Sequence, residues 1–112
     1  MENIIYGVNL NEEVTPLMVR DAISQCFYEA HCQDTGFEEE TGDGNDKERN
    51  QLYCQQIVKK SFEDSQANFE NPTKEDILKA VEELKEFSKN FRDPSIIQKH
   101  FVEILTLIDK LK

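Results

Sequence analysis

Apolar and polar positions change rhythm near residue 15. Before it, Ile4, Tyr6, Val8 and Leu10 alternate with Ile5, Gly7, Asn9 and Asn11, a period of two that suits an extended strand. One short strand has nothing to pair with in a helical protein. Residues 1–14 are therefore expected to lie as an extended arm across the helices, or to pair with the same arm of a second copy.

Beyond residue 15 the period becomes helical. Thr15-Pro16 reads as an N-cap and a first helical residue, and Val19, Ile23, Cys26 and Ala30 follow one face, flanked by Ala22 and Phe27. This first helix is expected to reach about Gln33. The pattern then breaks over residues 34–46, where Gly36, Gly42 and Gly44 punctuate six acids and no base, an acidic loop. A second helix is expected from about Asp46 to Phe69, on Leu52, Cys54, Ile57, Val58 and Phe62, with Glu63 to Asn68 the place where it bends or frays. Thr73 followed by Glu75 and Asp76 opens a third helix, whose Ile77, Ala80, Leu84, Phe87 and Phe91 recur about every 3.5 residues.

The last stretch is the most apolar. Ile97, Phe101, Ile104, Ile108 and Leu111 recur at steps of four and three, and Ile96, Val102, Leu105 and Leu107 widen their face past half the circumference. A helix this apolar predicts cover on several sides, hence the centre of the core. Asp93-Pro94 caps it, and only Arg92 parts it from Phe91, so helices three and four are expected to form a tight antiparallel hairpin. The predicted fold is all-α: one domain over residues 1–112, a four-helix bundle or irregular four-helix domain with an extended N-terminal arm.

Charge narrows the partners. The 23 acidic and 13 basic side chains give a net charge of −10, which repels nucleic-acid phosphates and anionic membranes and favours a basic protein partner. No apolar run approaches the ~18 residues that span a bilayer. Met1-Glu2-Asn3 opens no signal peptide, and the odd count of three cysteines argues against a disulfide framework. A cytoplasmic setting is expected.

Candidate chemistry is thin. His31, His100 and Glu103 could serve a metal, since His100 and Glu103 stand three apart on one helix; Cys26, Glu29 and Cys32 lie close to His31 in sequence. Glu29 and His31, two apart, point about 200° away from each other, and Cys26 and Cys32 diverge likewise. Asp43-Gly44-Asn45-Asp46 has oxygen ligands but lacks the EF-hand offsets. Cys32 beside His31 points about 100° from it, and no phosphate-cradling glycine loop is present.

Aromatic residues exceed what one small core holds. Phe37, with Glu38, Glu39 and Glu40, stands in the acidic loop and suits docking onto a basic, apolar groove, and Tyr6 and Tyr28 are further contact candidates. The sequence thus predicts a non-enzymatic interaction or regulatory module without a cofactor, with a homodimer through the arm as one form. The alternative is a small metal-binding protein or metal-dependent enzyme using His31, His100 and Glu103.

Overall fold

A computed structural model describes residues 4–36 and 44–111. Two short strands, β1 (Ile4–Ile5) and β2 (Val8–Asn9), precede four helices: α1 (Pro16–Thr35), α2 (Gly44–Asp64), α3 (Lys74–Phe87) and α4 (Pro94–Asp109). The expected four-helix domain with an N-terminal arm is what forms. Asp34 and Thr35, expected in the acidic loop, belong to α1, and Gly44, expected there too, belongs to α2. Phe37, Glu38, Glu39 and Glu40 lie outside the described residues.

The arm is not one straight strand. Ile4 pairs with Asn9 and Ile5 with Val8, antiparallel, across a two-residue turn. Tyr6 (φ 48°) and Gly7 (φ 80°) both adopt positive φ, as the tightest hairpin turns demand. Tyrosine pays steric energy there, and its anchored hydroxyl (below) offsets the strain. Val8 is buried against the core, so the strand finds its partner within its own chain.

Local chemistry fixes the helix ends. The Thr15 hydroxyl accepts from the Met18 N–H (3.3 Å), and Gly36, left-handed at φ 76°, closes α1 by donating to the Cys32 carbonyl. Helix α2 stops at Asp64, earlier than its expected reach to Phe69. Gln66 turns left-handed at φ 61°, its N–H bonds the Glu63 carbonyl, and the Ala67 N–H returns to Phe62 at 2.8 Å. This is a Schellman closure with glutamine in place of glycine. Thr73 and Asp76 form a reciprocal capping box on α3.

Helix packing departs from the expected order. Helix α4 lies chiefly on α1, and α3 chiefly on α2, while α3 and α4 share little surface. They are not a packed hairpin. After Phe87 the chain tightens into a 3₁₀ turn (Ser88–Asn90), and Phe91 is extended. The Asp34 carboxylate, from the last turn of α1, accepts the N–H groups of Arg92 (3.0 Å) and Asp93 (2.8 Å) and pins this corner.

The centre of the core is α1, not α4. Val19, Ala22, Ile23, Cys26, Phe27, Tyr28 and Ala30 are all buried, and the Phe27 ring meets Phe87 (5.8 Å) and Phe91 (5.5 Å). Helix α4 buries Ile97, Phe101, Ile104, Leu107 and Ile108, yet Val102 is 65% exposed and Leu105 39%. Leu52, expected on the buried face of α2, is 54% exposed.

Candidate interaction site

The solvent-facing side of α1 forms the floor of a trough. Asp21, Gln25 and Glu29 recur every four residues on it, opposite the buried Val19-Ile23-Ala30 face. The β1–β2 hairpin walls one side. There a groove of about 730 Å³ is lined by Ile4, Ile5, Tyr6, Met18, Asp21, Gln25, Glu29 and Glu103, among others. Helix α2 walls the other, adding Gln51 and Gln55 beside Tyr28 and Phe69. Toward the C-terminal end of α1, Tyr28, Glu29, Cys32 and Gln33 continue the floor.

Three carboxylates and four glutamine amides therefore line one continuous strip, and among the described residues no Lys, Arg or His lines it. Gln25 donates to Glu29 at 3.3 Å. Cations stand beside the strip at Phe69: Lys59 lies 5.8 Å over its ring, and Arg20 pairs with Asp21 at 3.1 Å, donates to the Phe69 carbonyl at 2.8 Å and lies 4.6 Å over the same ring. The Arg20 charge is held at the Asp21 end, which leaves the Glu29 and Glu103 end the more negative.

The hairpin wall is latched by Tyr6. Its hydroxyl lies 2.5 Å from His100 Nδ1, and the other ring nitrogen of His100 lies 3.2 Å from the Gln33 side-chain oxygen. The hydrogen bonds are consistent with Tyr6 donating to Nδ1 and Nε2–H donating to Gln33. Three elements, hairpin, α4 and α1, are thereby joined through one imidazole.

Ionisation is suppressed around this latch. Burial raises the Tyr6 hydroxyl well above the ordinary phenol, and the neighbouring Cys26, Glu103 and Glu29 push the same way. Burial likewise raises the Cys26 thiol from 9.0 to about 12, against a lowering hydrogen bond with Tyr6. Cys54 also rises to about 12, through burial and then the nearby Cys32. A thiol held protonated is a poor nucleophile and a poor metal ligand.

The other sequence candidates separate. His31 turns to α2, its Nε2 3.0 Å from the Asn50 side-chain oxygen and its ring 5.4 Å from Tyr53. His100 serves the latch, and Glu103 lines the groove. Among the described residues no group of three His, Cys, Asp or Glu side chains is placed to hold a metal ion. Tyr6 lines the trough as a half-buried wall, and Tyr28, only 5% exposed, lies in its floor.

Sequence reasoning overlooked Asp21, Gln25, Gln51 and Gln55. The four-residue spacing of Asp21, Gln25 and Glu29 was its visible signal, but the hairpin and α2 that turn a wet helix face into a trough leave no mark on α1 itself. No family model, curated protein or solved structure matches this chain.

Proposed function

We propose that this protein is a non-enzymatic interaction module whose α1 trough receives a basic, partly apolar segment of another protein. The observation that carries the reading is the lining: carboxylates of Glu29, Glu103 and the Arg20-paired Asp21 beside apolar Ile4, Ile5 and Met18, with no Lys, Arg or His among the described lining residues. Such a strip attracts lysine or arginine at its rim while apolar side chains cover the hairpin wall. From Asp21 to Gln33 the helix rises about 18 Å, enough for about three turns of a docked helix. Phe37, Glu38, Glu39 and Glu40 follow α1 in sequence and extend the same acidic recognition chemistry.

The raised thiol and phenol support binding over catalysis, since neither supplies an anion near neutral pH. Three cysteines outside any disulfide suit a reducing, cytoplasmic setting, and no described helix is long and apolar enough to cross a membrane.

Fluorescence anisotropy tests this with a labelled amphipathic Lys/Leu peptide and its Glu/Leu counterpart. The basic peptide should bind, weaken with added salt, and lose at least about tenfold in affinity to Glu29→Lys with Glu103→Lys. Equal binding of both peptides, or no effect of the double variant, would remove the trough as the site.

A further inference from the structure

A second surface differs from the trough in charge and shape. On α4, Gln98, Val102, Leu105 and Asp109 are all exposed and recur at steps of four, three and four. That spacing puts them within a stripe about 60° wide, roughly 100° round the helix from the buried Ile97-Phe101-Ile104-Ile108 face. It is the spacing of a helix-pairing seam, apolar in its two central positions and polar at both ends.

Beside the seam runs a shallow groove, walled by α3. Its lining includes Lys85, Lys89, Gln98, Phe101, Val102 and Leu105, with Glu82 and Glu86 on the same wall. Lys85 pairs with Glu82 at 3.1 Å and Lys89 with Glu86 at 2.8 Å. Two acids and two bases leave this lining with no net charge, in a chain that carries −10 overall. A cationic partner gains nothing here. Another copy of the chain, repelled by most of the surface, meets only Asp109 as unbalanced like charge here.

We infer that a second copy of this chain docks on this face, α4 against α4, antiparallel about a two-fold axis between Val102 and Leu105. The register follows from the spacing. The axis sets Val102 of each copy on Leu105 of the other and brings Gln98 opposite Asp109, where the amide N–H can donate to the carboxylate. The paired Glu and Lys rows flank the seam with both signs, as a self-complementary contact requires. Two apolar layers make a small interface, so the dimer belongs to the weak, concentration-dependent class. The arm is not needed for it, since β1 and β2 pair with each other.

Salt separates this contact from the trough. Screening weakens attraction between a basic peptide and an acidic strip, but it relieves the repulsion between two chains of charge −10, so self-association should strengthen as salt rises.

Sedimentation equilibrium of the full chain, from about 10 µM to about 1 mM in low and high salt, reads it directly. The average mass should climb toward twice the chain mass, more readily at high salt. Val102→Asp with Leu105→Asp should weaken association at least about tenfold without unfolding the monomer, because both side chains are exposed. Gln98→Lys should tighten it severalfold, through the new charge facing Asp109 of the second copy. A constant monomer mass across the range would overturn the inference, as would a dimer indifferent to the double aspartate variant. A Gln98→Lys chain that associates no better than the parent would overturn the antiparallel register.

Discussion

Helices α1 and α4 invert the relation between apolarity and position. Helix α4 is the most apolar stretch of the chain, yet it is covered on one side and leaves Val102 and Leu105 in solvent. Helix α1 carries Arg20, Asp21, Gln25 and Glu29, yet it packs against α4, α2, α3 and β2. Its small buried residues, Ala22, Cys26 and Ala30, let neighbours approach closely, whereas the branched and long side chains of α4 hold them off. Centrality here follows from how many neighbours a helix can accept, and the proposed dimer is what would use the apolar surface that a peripheral helix leaves exposed.

The sharpest way to break this comparison is to truncate one side chain on each helix. Phe27→Ala removes a fully buried ring wedged against Phe87 and Phe91 and should cost about 3–5 kcal/mol in urea denaturation, whereas Val102→Ala should fall within about 0.5 kcal/mol. Comparable costs would mean that α4 is covered in the monomer. Alkali probes the same centre chemically. Cys26 in α1 and Cys54 in α2 have thiols raised from 9.0 to about 12, so the stability they contribute is whole below pH 9 and lost as pH climbs from about 9 to about 12. Cys26→Ala should shallow that alkaline limb in a pH series of thermal melts, and an unchanged limb would assign the loss elsewhere.

Smaller effects sharpen the boundary between the two helices. Asp34→Ala leaves the Arg92 and Asp93 N–H groups to water and should cost about 1–2 kcal/mol, with hydrogen exchange quickening at the start of α4 before anywhere in α2. Tyr6→Phe keeps the ring and deletes the bond to His100, costing about 1 kcal/mol and loosening hairpin amides more than those of α1.

The mildest expected change is acidic. The Thr73 backbone N–H holds Asp76 low, and the Ser95 hydroxyl holds Asp93 low, so their caps act at neutral pH and fade as pH drops below about 4. Asp76→Asn should reduce that fading in acid-side melts, and a full-sized acid loss in the variant would remove the capping box from the explanation.

Much of the fold was legible because it is local. Thr15, Thr73 and Asp93 announced their helix starts, and the buried faces of α1, α3 and α4 carry the apolar positions their periodicity named. The stops were harder. Gln66 in a left-handed closure and Tyr6-Gly7 in a hairpin turn use residues that rarely mark such geometry, so α2 read as too long and the arm as one strand. The trough was legible only in part. Tyr6, Tyr28 and Glu103 were singled out, but for unrelated reasons, and only the folded chain sets them along one groove.

By itself, then, the sequence determined which segments are helical, which face of each is apolar, and the net negative charge of the whole chain. Those properties depend on neighbours within a turn or on a sum over the chain, and both are written in one dimension. Tertiary structure alone decided that α4 packs on α1 rather than α3, that Asp34 caps a corner 58 residues away, and that α1 lies at the centre with an acidic trough on its back. Helix order in space depends on which side chains interlock across the core, a competition among pairings that each helix's own pattern permits equally.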